Sequence, residues 1–432
     1  MEPLHTVGPM GSGGAAEDGL AEDGLAEDGA TAARASRRRP TALVIGVVGL
    51  AVFLTALDQT VVVTALVNMT GDLGVPVTAL DRATWIVSGY LLGYVIAMPL
   101  MGRVADLYGR RRIFVLCLGI FALGSALTAL APTLGALTPP STDTAGGVVL
   151  APVYALVQQA LSLATRIGMD TGYPALNVVI AARFLQAVGG GALVPVALAV
   201  VADLFGAPRR GMALGLVGAV TEAGGVLGPL WGAWLTGTWG WRWIFWLNLP
   251  LAAGLVAAGA VVVPRGERRR EGVDVVGAVL FGAAIACLTI GLGAEAGQAG
   301  SFDLTAQVSA NPVLVASAAV LLVALVMVEA RARWPVIDPA LFRRAALSAA
   351  AALSLLIGAA LIVAMVMVPV YVITVLGDDP ISGGLALLRM TALIPVGALA
   401  GGWLSSRAGC RVTAALGCAL TAGGLWLMHL WP

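Results

Sequence analysis

The sequence predicts an all-α integral membrane protein. Hydrophobic residues make up 59% of its 432 residues and charged residues only 11%, whereas a soluble domain carries about 25% charged residues. Its mean hydropathy is +0.92, and many uncharged stretches reach the roughly 20 residues that a helix needs to cross a bilayer. These stretches are continuously apolar and lack the alternation of a transmembrane β-barrel, which favours helices.

The apolar stretches predict about eleven spanning helices when they are measured in windows of about 19 residues. They lie near 41–67, 83–102, 112–132, 176–201, 211–235, 243–263, 274–293, 312–330, 346–371, 384–404 and 411–431. Residues 1–40 differ, because a repeated acidic unit, AEDGL, precedes the basic RASRRRP. This segment is typical of a disordered cytoplasmic tail, and the apolar run that begins at Thr41 is too long for a signal peptide.

Arginine predicts the orientation. With the N-terminus in the cytoplasm, about 20 of the 25 basic residues fall in cytoplasmic connections, as the positive-inside rule requires. A further apolar run lies in an insertion at 133–175. There Tyr154, Gln158, Ser162 and Arg166 are spaced as one polar stripe of a helix. If this run spanned the membrane, every later loop would flip, so we expect an amphipathic helix on the outer membrane surface. It is either a simple loop or a platform for a partner or substrate.

The composition excludes several classes of enzyme. The chain has no lysine, so it has neither a Walker A loop nor a lysine Schiff base. His5 and His429 lie at opposite ends, and the cysteines lack metal-ligand spacing. The cysteines are Cys117, Cys287, Cys410 and Cys418. The cytoplasmic loops are short and basic, without paired carboxylates. We therefore expect no catalytic residues, no metal and no cofactor, and no nucleic-acid partner.

The loop after the second span reads GRVADLYGRRR. Its acid can pair with an arginine or meet a helix N-terminus on a neighbouring bundle, which would latch one conformation. The loop resembles the G-x-L-A-D-x-x-G-R-[RK] motif of the major facilitator superfamily. The residues that match it as a cytoplasmic gate are Gly102, Asp106, Gly109, Arg110 and Arg111.

Three more segments are similar to the fourteen-helix drug:proton antiporters of that superfamily. They are LDQTVVVTAL in span one, RFLQAVGGGA in span four and GWRWIFWLNLP at span six. Span five resembles the antiporter motif G-x8-G-x3-G-P-x2-G-G. Its matching residues are Gly215, Gly224, Gly228, Pro229 and Gly232. Small residues at this spacing let helices approach closely, and a proline loosens a helix locally, so we expect this helix to form the seam between two bundles.

An internal repeat predicts the domain organisation. GWLSSRAGCR at 402–411 repeats the spacing of GRVADLYGRR at 102–111, with Ser406 in place of Asp106. The resemblance then implies a six-helix N-terminal bundle at 41–263, a linker with two transmembrane helices at 264–344, and an incomplete C-terminal bundle at 345–432. The last holds the first three helices of its bundle, three fewer than the family pattern.

Charges inside spans are costly and mark ion or substrate pathways. Asp58, Arg183, Glu222 and Arg389 are such charges. A carboxylate in an apolar site can exchange protons near neutral pH. The resemblance implies proton coupling for Asp58 and Arg183, and we add Glu222. Gln186, which matches the motif of span four, and Arg389 are candidates for the substrate cavity or for cross-bundle contacts. For each of these residues a purely structural role stays open.

The resemblance implies a proton-coupled antiporter in the bacterial inner membrane, working by alternating access. Most drug exporters have an uncharged residue where this chain has Glu222. A second acid at this place resembles the mycobacterial-type branch of the family, which exports triacylglycerides with a periplasmic lipoprotein. The expected partners are therefore a hydrophobic small molecule or lipid, protons, membrane lipids and such a lipoprotein, with the proton gradient as energy source. Two alternatives remain, a polyspecific multidrug efflux pump and a non-transporting fragment or scaffold.

Overall fold

The computed structural model describes residues 41–76, 80–135, 152–155, 158–159, 162, 172–205, 207–265, 274–293, 311–335, 338–374, 376 and 380–429. The tail 1–40 and most of the insertion at 133–175 lie outside them, Arg166 included. Compact packing divides the chain at Val44, so the first unit contributes only the start of one helix, and the second runs from Ile45 to Pro432.

Twelve long helices account for the spans within the described ranges. They are α1 (Thr41–Asp72), α2 (Trp85–Tyr108), α3 (Arg110–Leu134), α4 (Pro174–Leu204), α5 (Ala207–Thr238), α6 (Arg242–Val262), α7 (Val275–Gly293), α8 (Pro312–Glu329), α9 (Ala345–Thr374), α10 (Pro380–Ala392), α11 (Ile394–Ala408) and α12 (Cys410–His429). A four-residue helix (Leu80–Ala83) and a 3-10 turn (Pro339–Arg343) complete them. Eight of these helices are long and apolar enough to cross a membrane by length and composition, counted over the described residues.

Two predicted boundaries were wrong. The motif after span two is not a loop, because α2 continues through Tyr108 and α3 begins at Arg110. Gly109 alone separates them, with a φ of +92° that a side chain would strain. The predicted span 384–404 is two helices, α10 and α11, interrupted at Leu393. Pro395 explains the break, since it has no N–H to continue the helix.

Helix α4 lies at the centre of the first six helices. The backbone of its GGG run, Gly189 to Gly191, lies in close contact with α1, α2 and α3. A Cβ on Gly189 would lie 2.5 Å from the Cys117 carbonyl oxygen of α3, and one on Gly191 would lie 2.6 Å from the Tyr94 carbonyl oxygen of α2. Between them Gly190 faces α1 and α2. A buried apolar core, which includes Val61, Ile86 and Phe245, fills the space among α1, α2, α3, α4 and α6.

Candidate functional site

Asp58 lies completely buried in the middle of α1. Arg183 of α4 is equally buried, and its Nη1 lies 2.5 Å from Asp58 Oδ2. Its Nη2 also donates to the Asp58 backbone carbonyl at 3.2 Å. A buried charge is tolerated when it is paired and hydrogen-bonded, and this ion pair satisfies both conditions across two helices.

The second carboxylate oxygen of Asp58 accepts two amide hydrogen bonds. Gln186 Nε2 donates to Oδ1 at 3.0 Å and Asn248 Nδ2 donates to it at 2.7 Å. Gln186 Oε1 in turn accepts a bond from Arg183 Nη1 at 3.0 Å. Gln186 was expected in the substrate cavity or across the bundles. In the structure its side chain is instead fully buried against α1, because Asp58 offers it a charged acceptor.

Sequence reasoning missed Asn248 and Ser125. Asn248 Nδ2 also donates to Ser125 Oγ of α3 at 3.1 Å, and Ser125 Oγ donates to the Phe245 carbonyl at 3.0 Å. Both side chains are buried. Both are neutral polar residues in apolar helices, which is the same kind of signal as a charge within a span. Helices α1, α3, α4 and α6 therefore converge on one hydrogen-bonded cluster, the Asp58 cluster, formed by Asp58, Arg183, Gln186, Asn248 and Ser125.

Aromatic rings cover the arginine of this cluster. The guanidinium carbon of Arg183 lies 4.0 Å from the centre of the Tyr90 ring and 5.6 Å from that of Phe245. A cation over a ring face is attracted by its quadrupole. The rings also keep water away, so the electrostatic attraction between Arg183 and Asp58 is stronger than it would be in solvent. Adding a proton to Asp58 would neutralise the carboxylate to which Arg183, Gln186 and Asn248 donate.

Glu222 does not join the Asp58 cluster. It is half-buried on α5, and among the described residues its carboxylate has neither a hydrogen bond nor an ion pair. Arg389, near the end of α10, is exposed and makes no ion pair within the described part of the chain. The structure therefore joins Asp58 and Arg183, and leaves Glu222 and Arg389 apart from them.

The glycines of the antiporter motif face two different helices. Gly224, Gly228 and Gly232 all pack on α1, where a Cβ on Gly228 would lie 2.7 Å from the Leu57 carbonyl oxygen. Gly215 instead contacts α11, and its Cβ would lie 2.7 Å from Gly402 Cα. The expectation of one seam between two bundles is thus wrong for three of the four glycines. The physical reason is helical periodicity, because Gly215 is not on the face that the other three share.

Threonine hydroxyls fasten α1 to α5 beside these glycines. Thr60 Oγ1 donates to the Gly225 carbonyl at 2.9 Å, and Thr64 Oγ1 contacts the Pro229 carbonyl at 3.3 Å. Residue 229 would normally donate its N–H to the carbonyl of residue 225, but proline has none. Thr60 therefore supplies the hydrogen bond that Pro229 removes.

The GRVADLYGRRR motif holds α2, α3 and α4 together. Arg110 forms ion pairs with Asp106, at 3.6 Å, and with Asp203 of α4. Its Nη1 also donates to the Ala199 carbonyl at 2.6 Å. Gly102 lies against Pro195, at ordinary contact distance for a Cβ. Asp106 thus pairs with an arginine, one of its two expected partners. Arg111 follows Arg110 in the first turn of α3.

The two copies of the internal repeat share this local geometry. Gly409, which separates α11 from α12, has a φ of +83°, close to the +92° of Gly109. In the insertion at 133–175 only a few residues are described. Gln158 of the predicted polar stripe donates its amide to the Leu134 carbonyl at 3.0 Å, at the end of α3.

The model of the family described as Major Facilitator Superfamily matches residues 48–432. The chain belongs to the major facilitator superfamily. This facilitator is therefore a multi-pass membrane protein of a transporter class, and the prediction that it is not an enzyme is confirmed.

Several curated relatives are similar to this facilitator over most of its length. A triacylglyceride transporter of Mycolicibacterium hassiacum is 36% identical over 92% of this chain and 66% of its own. A probable triacylglyceride transporter of Mycobacterium leprae is 37% identical, over 92% and 70%. The facilitator thus spans about two thirds of the length of these relatives.

Among solved structures, the facilitator matches a proton:xylose symporter of the same superfamily. The bromodeoxyglucose complex of that symporter has a TM-score of 0.48 and 14% identity, covering 84% of this chain and 69% of the other. The inward-open form of the transporter from E. coli has a TM-score of 0.44, covering 86% of each chain. At this level of similarity the family assignment depends on the sequence match.

Proposed function

We propose that this facilitator is a proton-coupled antiporter that exports a hydrophobic lipid of the triacylglyceride class from the bacterial inner membrane. The observation that carries the proposal is the Asp58 cluster, a buried carboxylate–arginine pair within membrane-spanning helices. Ionisable residues at this depth are costly and serve ion or substrate pathways by default. The lipid is suggested by the names of relatives at 36% and 37% identity.

Protonation of Asp58 would drive the cycle. In the charged form its carboxylate accepts bonds from Arg183, Gln186 and Asn248, which fastens α1 to α4 and α6. In the outward-facing state a proton from outside neutralises Asp58, and the charged contact to Arg183 is lost. Substrate leaves, the protein turns inward, the proton is released, and the ion pair forms again. The two bundles would rock about this site by alternating access.

Glu222 would provide the second proton position. Its half-buried carboxylate has no partner among the described residues, so a proton can reach it without breaking an ion pair. It lies on α5, the helix that contacts both α1 and α11. In this scheme the N-terminus is cytoplasmic, and released lipid passes to a periplasmic lipoprotein.

Reconstitution would test the coupling. The full chain is placed in vesicles that contain a fluorescent triacylglyceride, and lipid movement is followed after a pH gradient is imposed. Asp58→Asn and Glu222→Gln should each abolish gradient-driven movement. Asp72→Asn, at the far end of the same helix, should not, since an amide oxygen can still accept the bond from Trp241 Nε1. Wild-type movement in Asp58→Asn vesicles would contradict proton coupling.

The same vesicles distinguish the alternatives. Gradient-driven movement of a cationic dye without movement of lipid would favour a multidrug pump. Movement of neither, in a folded preparation, would favour a non-transporting role.

A further inference from the structure

A groove of about 530 Å³ lies among α1, α5 and α6, beside the Asp58 cluster. Eleven of its twelve lining residues are apolar, and the remaining one is Asn248. The apolar residues are Leu50, Phe53, Leu54, Leu57, Leu227, Leu230, Trp231, Trp234, Leu247, Leu251 and Leu255. All belong to helices that can span a membrane, so the hydrocarbon tails of lipids surround the groove.

Asn248 brings an unsatisfied acceptor to this groove. The residue is only 4% exposed, and its amide nitrogen is fully used by Asp58 Oδ1 and Ser125 Oγ. No donor within the described residues reaches its carbonyl oxygen. An acceptor among apolar side chains costs free energy unless it is paired, so a ligand that fills the groove and donates one hydrogen bond would be favoured.

We propose that this groove binds a long-chain lipid with a free hydroxyl group, of the diacylglycerol class. Its acyl chain would lie along the leucines, and its hydroxyl would donate to Asn248 Oδ1. No charged residue lines the groove, which disfavours an ionised headgroup, because a charge out of water needs a partner. A triacylglyceride has only acceptors and cannot satisfy Asn248. Water is a poor occupant of a pocket with one polar side chain.

Asn248 would connect such a lipid to Asp58 through hydrogen bonds. The same amide group that would accept the lipid hydroxyl donates to Asp58 Oδ1. Binding at the groove goes beyond the proposed transport cycle and needs no proton gradient, so its failure would leave that cycle untouched.

Photo-labelling would test the site. The full chain in lipid nanodiscs is exposed to a diacylglycerol with a diazirine in one acyl chain, or to the same molecule with its hydroxyl methylated. Labelled peptides are identified by mass spectrometry. We expect the free hydroxyl to raise the labelling of groove segments of α1, α5 and α6 about fivefold, the preference that one neutral hydrogen bond supplies.

Two variants at matched exposure complete the test. Leu251→Trp places a larger side chain in the groove while residue 248 stays asparagine, and it should remove most of the label, whereas Leu123→Trp, on the exposed surface of α3, should not. Thermal unfolding checks that both are folded. Equal labelling by the methylated probe, label spread evenly over exposed helices, or full labelling in Leu251→Trp would overturn the proposal.

Discussion

Asp58 is the shared acceptor of the Asp58 cluster. Its two carboxylate oxygens accept bonds from Arg183, Gln186 and Asn248, which come from two other helices. Taking two charges out of water costs several kcal/mol per ion, and good geometry recovers this cost only when every lone pair is used. The pair is therefore better explained by the proposed role in proton coupling than by stability alone.

The energetics of this pair can be measured through a double-mutant comparison. Asp58→Leu or Arg183→Met alone leaves one buried charge without its partner and should lower the free energy of unfolding by about 3–5 kcal/mol. The double variant removes both charges and should be closer to wild type than either single one. Denaturant unfolding in detergent measures this. A double variant whose loss equals the sum of the two single losses would show that the charges act independently.

At the scale of elements, α5 packs closely on a different helix with each of two faces. Gly224, Gly228 and Gly232 pack on α1, while Gly215 packs on α11. The sequence showed the glycines but not which neighbour each one meets. That division follows from the rotation of the helix, which is set by tertiary packing.

Two glycines one turn apart on α5 should respond in opposite ways to alanine. Gly228→Ala places a Cβ 2.7 Å from the Leu57 carbonyl oxygen and should cost about 1–3 kcal/mol through overpacking. Gly225→Ala meets nothing within 4 Å and should stabilise the helix by about 0.5–1 kcal/mol. Thermal unfolding of the two variants checks this, and equal shifts would contradict the close α1–α5 contact.

The bond between Thr60 and the Gly225 carbonyl makes a second prediction for this contact. Thr60→Val should cost about 1 kcal/mol, because it leaves that carbonyl without a donor. In a Pro229→Ala background residue 229 regains an N–H for the same carbonyl, so Thr60→Val should cost less. A double-mutant cycle on the free energy of unfolding measures the difference. An unchanged cost would mean that the hydroxyl does not substitute for the missing N–H.

At the scale of the whole molecule, α5 connects the first six helices with α11. The contact depends on small residues, since a Cβ on Gly402 would lie 2.9 Å from Gly215 Cα and 3.0 Å from the Gly211 carbonyl oxygen. Any rocking between the halves must change this contact, because close packing leaves no room for gradual deformation.

Two substitutions separate this contact from the rest of α5. Gly215→Ala puts a Cβ 2.9 Å from the Ala398 carbonyl oxygen and should disfavour the described state by about 1–3 kcal/mol. Gly218→Ala places its Cβ 4.0 Å from that of Ala398, an ordinary contact, and is the control. Hydrogen exchange along α11 should rise in Gly215→Ala only. Equal protection in both would argue against a tight α5–α11 contact.

Much of the fold could be predicted from the sequence. The length of the apolar runs predicted the spanning helices. The motifs around Gly102, Asp58 and Gly224 indicated the family that the match over residues 48–432 establishes. Boundaries failed where one backbone group decides them. Gly109 ends α2 six residues beyond the predicted limit, and Pro395 splits span ten. These are local effects of φ and of a missing N–H, which hydropathy averages do not detect.

The sequence by itself determined that the chain crosses the membrane many times and that Asp58, Arg183, Glu222 and Arg389 are charges within its predicted spans. Composition and hydropathy suffice for that, because the price of a charge in hydrocarbon depends on its depth. Only the tertiary structure decided that Asp58 pairs with Arg183, that Asn248 and Ser125 complete the cluster, and that Glu222 stays apart. These outcomes depend on how each helix is rotated against its neighbours, and rotation is set by the packing of all the helices together.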